Sequence, residues 1–116
     1  MYKFTDLNIN HFSGRKLEEI SIGEYNLLFQ FGVENFINVF GEWKIFNEDG
    51  SVLDSGNAEE PDSSSKVQSL LQSKFESYSI SNPEELHIKF SNGLVLVIYD
   101  NDPDYECCAI SPDIYV

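Results

Sequence analysis

Apolar residues recur at every second position through most of this chain, the period of a half-buried β-strand. Leu27, Phe29 and Phe31 alternate with Leu28, Gln30 and Gly32. Before them, Leu17, Ile20 and Ile22 stand among polar residues and predict a strand that ends in a Gly23-Glu24 turn. Phe36, Ile37, Val39 and Phe40 predict a third strand, Gly41 a bend, and Trp43 to Phe46 a fourth. Asn47-Glu48-Asp49-Gly50 is a turn, because Asp-Gly tolerates positive φ, and Ser51–Asp54 a short return strand. Further on, Phe75, Tyr78 and Ile80 predict a strand, Asn82-Pro83 a turn, and Leu86, Ile88 and Phe90 another strand. Asn92-Gly93 is a hairpin signal, and Leu94 to Tyr99 is an apolar run expected to be buried on both faces. A last strand is expected over Tyr105–Ile110, stopped by Pro112, with Ile114 and Val116 in a tail. Residues 1–15 show no clean period and suggest a short helix or irregular lead-in that ends at Gly14.

A helix is expected between the two groups of strands. Ser65 and Gln68 fit a capping box, and Val67, Leu70 and Leu71 make an i, i+3, i+4 apolar stripe ending near Ser73. The groups also resemble one another. Lys16-Leu17-Glu18-Glu19-Ile20-Ser21-Ile22 lies 58 residues before Lys74-Phe75-Glu76-Ser77-Tyr78-Ser79-Ile80, with Lys, Glu, Ser and Ile in common. Leu27, Phe29 and Phe31 then match Leu86, Ile88 and Phe90 at an offset of 59. The expected fold is therefore α+β: a mainly antiparallel β-sheet system of two related β-meanders with one central helix. It forms a single domain, 1–116, with an internal repeat over 16–46 and 74–110 joined by a polar loop and the helix.

Charge adds the next constraint. Twenty acids against seven bases give the 116-residue chain a net charge of −13. Such a polyanion repels nucleic acid and anionic membrane, since binding phosphate needs Lys and Arg to displace counterions. It attracts basic proteins; the plainer reading is that acidity maintains solubility. No run reaches the length of a membrane span, and the N-terminus lacks a signal peptide's apolar segment, so cytoplasmic residence is the expectation. Adjacent Cys107 and Cys108 are not a disulfide framework and read as free thiols, at least one of them in the core.

The densest charge lies in Asp100-Asn101-Asp102-Pro103-Asp104-Tyr105-Glu106, directly after the most apolar strand. Asp100, Asp102 and Asp104 begin like a calcium loop, but Tyr105 and Ser111 stand where an EF-hand needs Gly and Glu. A solvated turn and an acidic recognition surface are the remaining readings; in the second, the carboxylates pair with a partner's Arg or Lys while Tyr105 supplies rigid contact area. Glu59, Glu60 and Asp62 form a second acidic patch. His87 alternates with core positions and is expected to point outward or to satisfy a local hydrogen bond, and Trp43 to lie in the core or anchor an interface. There is no nucleophile elbow, phosphate-cradling loop or HExxH motif, and neither a cofactor nor a metal is expected.

Gly14-Arg15-Lys16-Leu17, Gly41-Glu42-Trp43, Ser91-Asn92-Gly93 and Asp102-Pro103-Asp104-Tyr105-Glu106 carry a resemblance to small bacterial immunity proteins. These belong to contact-dependent inhibition and other polymorphic toxin systems. Members tend to follow the Asp-Pro-Asp-Tyr-Glu-like segment with Ala and Trp, where this chain has Cys107-Cys108. The resemblance implies inhibition by binding rather than catalysis. The expected function is that of a toxin-neutralising immunity protein, no enzyme, that binds a basic cognate toxin, a nuclease for instance, through Asp100, Asp102, Asp104, Tyr105, Glu106, Glu59, Glu60 and Asp62. The alternative is a housekeeping module that binds a protein or small ligand.

Overall fold

The computed structural model describes residues 3–60, 66–102 and 104–116. Strands β1 (Glu19–Ile22), β2 (Leu27–Gln30) and β3 (Phe36–Val39) form an antiparallel meander; β4 (Glu42–Phe46) and β5 (Val52–Asn57) form a hairpin. A second meander follows in β6 (Phe75–Asn82), β7 (Glu85–Phe90) and β8 (Val95–Tyr99), and a second hairpin in β9 (Cys108–Ile110) and β10 (Ile114–Tyr115). The tail expected after Pro112 is thus a strand.

The hairpins change sheets. One sheet has the order β1-β2-β3-β9-β10 and the other β5-β4-β8-β7-β6. Each meander is completed by the hairpin from the other half of the chain, so each sheet depends on both halves. Along β2, β3, β4 and β7 buried residues alternate with partly buried or exposed ones. Their inward side chains, Phe29, Ile37, Ile45 and Ile88 among them, join one core, the arrangement of two sheets packed face to face. Trp43 belongs to that core, lying against Gly56 of β5, where an added Cβ would come within 2.7 Å of the indole.

The helix is where the structure departs from expectation. Among the described residues every helical segment is a short 3-10 turn, and no central α-helix exists; the fold is β-sandwich-like rather than α+β. Lys66–Leu70 is one such turn, and Ser65 of the expected capping box lies outside the described residues. Val67 and Leu70 are fully buried while Gln68 and Ser69 are exposed. Two anchors three residues apart suit the threefold period of a 3-10 turn, and five residues are too few to offset the nucleation cost of an α-helix. The chain then turns sharply, because Gln72 takes a left-handed φ of 70° and its N–H donates to the Leu17 carbonyl at 2.9 Å.

This turn has a counterpart in the first half. At the offset of 58, Ile9 matches Val67 and Phe12 matches Leu70, all fully buried, and Gly14 (φ 80°) matches Gln72. Lys16 and Lys74 form an antiparallel bridge. Around it, Leu17 N–H donates to the Ser73 carbonyl and Phe75 N–H to the Arg15 carbonyl, both at 2.8 Å. Gly14 N–H donates to Phe75, as Gln72 does to Leu17. Each bond becomes the other of its pair when the two halves are exchanged. The left-handed position yields a prediction. Nothing lies within 4 Å of a Cβ added at Gly14, so Gly14→Ala should cost about 1–2 kcal/mol from backbone strain alone. Gln72→Gly should be neutral to mildly stabilising, since relief of that strain opposes about 0.4–1 kcal/mol of added unfolded-chain entropy. Urea unfolding of the two variants checks both signs.

Candidate functional site

The two chain crossings between sheets, residues 40–41 and the described residues of the second, 100–102 and 104–107, lie at the end of β3 and β8 remote from the Lys16–Lys74 bridge. They are laced together. Phe40 N–H donates to the Cys107 carbonyl at 2.8 Å, Ala58 N–H to the Gly41 carbonyl at 2.9 Å, and the Asn101 amide to the Glu42 carboxylate at 2.6 Å. Cys107 N–H donates to the Val116 carbonyl at 2.7 Å, which fastens the chain end to the same place. The turn after β5 is shaped by Asn57, whose side-chain oxygen accepts the Glu59 N–H at 3.0 Å while its carbonyl accepts that of Glu60 at 2.9 Å. Asp102 does the same for the acidic segment, accepting the Asp104 N–H at 3.0 Å. Short polar side chains thus bend the backbone and leave the longer acids facing outward.

These turns enclose an open cleft of about 830 Å³ lined by Tyr25, Phe40, Glu59, Glu60, Asp104, Tyr105 and Glu106. A smaller recess of about 70 Å³ adjoins it, with Glu42, Tyr99, Asn101, Asp102 and Cys107 in its wall. The two acidic patches separated in sequence by more than forty residues therefore form one surface. Among the described residues six carboxylates line the cleft and recess, and no Lys, Arg or His does. Asp100 is not part of this lining. It is half-buried, with its N–H donating to the Glu84 carbonyl at 2.8 Å, so it anchors the start of the crossing. Asp62 lies outside the described residues. Tyr25, Phe40 and Glu42 join the site without having been expected there. Tyr25 had a signal, an aromatic residue in a Gly-containing turn with no place in the strand alternation.

The field of the acids reaches their neighbours. Burial raises the Tyr99 hydroxyl pKa above its ordinary value, and the negative charges of Glu85 and Glu42 raise it further. The Cys108 thiol is pushed well up, first by its contact with the Cys107 sulfur at 3.4 Å, then by burial, with Asp100 and Glu106 contributing. Both cysteines are buried and free; such a thiol is poorly nucleophilic. No group of three His, Cys, Asp or Glu side chains is placed to hold a metal ion among the described residues, so the three aspartates of the crossing do not converge.

Away from the cleft, Glu85 accepts a bond from the Asn82 amide at 2.8 Å and lies within hydrogen-bond distance, 3.0 Å, of His87 Nε2. Ser81 Oγ approaches the same ring nitrogen at 3.2 Å. A relay would need the hydroxyl and the carboxylate on different ring nitrogens, so this cluster is a surface hydrogen-bond network. The Asn82 bond, then the His87 bond, lower the Glu85 pKa. A depressed folded pKa stabilises at neutral pH, and that contribution disappears as the pH falls through the folded value. The stability deficit of Glu85→Gln should therefore be present at pH 7 and shrink in strong acid. Urea midpoints measured across that range test this, and a deficit independent of pH would contradict it.

Comparison of the chain with protein-family profiles, curated proteins and solved structures found no match.

Proposed function

We propose that this protein neutralises a basic protein toxin by binding it through the acidic cleft, as an inhibitor without catalytic activity that acts in the bacterial cytoplasm. The observation that carries the reading is the cleft itself, where the described residues place six carboxylates around exposed aromatic rings with no lining cation. Carboxylates gathered without counter-charges repel one another, and a cationic partner relieves that repulsion on docking. The same charges repel phosphate, which favours a nucleic-acid-binding protein over the nucleic acid as partner. Among the described residues no helix is long and apolar enough to cross a membrane.

The test pairs the chain with the product of the reading frame next to its gene. That product should arrest growth when expressed alone, and co-expression of this chain should restore growth. Restoration should fail for the triple variant Glu59→Lys, Asp104→Lys, Glu106→Lys. A harmless neighbour, or rescue that survives the triple variant, would overturn the reading.

A further inference from the structure

The cleft is more than a charged surface. Tyr25 and Tyr105 are 64% and 69% exposed, and both line the same cavity. Half-buried Phe40, in the first crossing, is part of the wall. Acidity for solubility needs no aromatic rings, and large rings left in water beside a cavity mark a contact surface. The cleft is open to solvent, and its volume of about 830 Å³ leaves room for several side chains of a docking segment.

The chain itself shows what suits such a place. Tyr99, part of the wall of the adjoining recess, already carries a cation on its ring, with Lys44 Nζ, itself outside the recess lining, 5.5 Å from the centroid. This is the cation–ring contact of the described residues, and the rings of Tyr25 and Tyr105 have none. We propose that the cleft receives an arginine-bearing segment of the partner, with guanidinium groups stacked on Tyr25 and Tyr105 and bound at their edges by Glu59, Asp104 and Glu106. This assignment rests on the acidic-cleft reading above and adds to it a choice between the two cationic side chains. A guanidinium is planar and weakly hydrated on its faces, so it stacks on a ring while its edge donates two parallel hydrogen bonds to a carboxylate. A lysine ammonium is compact and strongly hydrated, and gains from the charge but less from the rings.

The test titrates the full chain with a nona-arginine and a nona-lysine peptide by calorimetry. Nona-arginine should bind about 10-fold more tightly, the scale expected of two ring contacts. Tyr25→Ala with Tyr105→Ala should remove most of the nona-arginine advantage, leaving only that of its paired hydrogen bonds to the carboxylates, and leave nona-lysine within about twofold. Both side chains are exposed, and an unchanged thermal unfolding temperature will show that the double variant is folded. Equal affinities for the two peptides, or an equal loss of both in the double variant, would overturn the arginine assignment. The triple lysine variant separates this from the underlying reading. Loss of both peptides in that variant keeps the acidic cleft as the binding surface even if arginine is not preferred. Retention of both overturns the cleft and the arginine assignment together.

Discussion

Phe75→Ala should lower the free energy of unfolding by about 3–5 kcal/mol, the range for deleting a buried phenylalanine. The position combines three roles. Its ring is 1% exposed and packs against Phe12 at 5.6 Å, Phe31 at 6.0 Å and Tyr78 at 6.3 Å between centroids. Phe31, the residue after β2, in turn stacks on Phe90 of β7 at 6.1 Å, its counterpart in the other half, so the cluster joins both halves of the chain. The Phe75 backbone also makes two of the four hydrogen bonds around the Lys16–Lys74 bridge. The alanine variant retains those bonds but leaves a cavity between groups held by both halves, where collapse is difficult. Urea unfolding provides the value. A loss below about 1 kcal/mol, typical of a surface change, would mean that the seam is not the centre of stability.

The triple variant Glu59→Lys, Asp104→Lys, Glu106→Lys should weaken association with a cationic protein by roughly 100-fold or more at low salt, given the coupling of close charge pairs across interfaces. The change comes from three carboxylates on one cleft, drawn from two turns, so each reversal also repels the charge that its neighbours attract. Salt should erase much of the difference, since screening at about 0.15 M acts over roughly 8 Å. The same reversals at Glu18, Glu19 and Glu84, which lie outside the cleft and recess, should have little effect. Association rates measured at several salt concentrations distinguish the two sets, and equal losses in both would reduce the cleft to a share of the general acidity.

Much of the strand layout was legible in the sequence because alternation reports burial directly. Leu27, Phe29 and Phe31 are buried where the pattern put them, and the turns at Gly50 and Gly93 take the positive φ that their sequences suit. The helix expectation fails because the Val67–Leu70 pair satisfies both a 3.6 and a threefold period over so short a span, and Leu71 merely completed the i+4 position. What separates the two is Gln72, whose left-handed backbone is set by a bond to Leu17 that no local pattern reveals. Nor could the sequence show that β4 and β9 cross to the opposite sheet, since a strand's period does not name its neighbour. That crossing is what brings Glu59 and Glu60 to Asp104 and Glu106. The acids were visible one patch at a time, and their meeting around Tyr25 and Phe40 was not. The matched hydrogen bonds of the two halves are what an internal duplication would leave, with the second crossing lengthened into the acidic segment.

The central claim is that a cationic partner docks at this cleft. Amide chemical shifts of the full chain, followed by NMR during titration with the nona-arginine peptide, test it most directly. Shifts should concentrate at Tyr25, Phe40, Glu59, Glu60, Asn101, Asp102 and residues 104–107. Shifts spread evenly over the acidic surface, or centred on Glu18–Glu19 or Glu84–Glu85, would contradict the account.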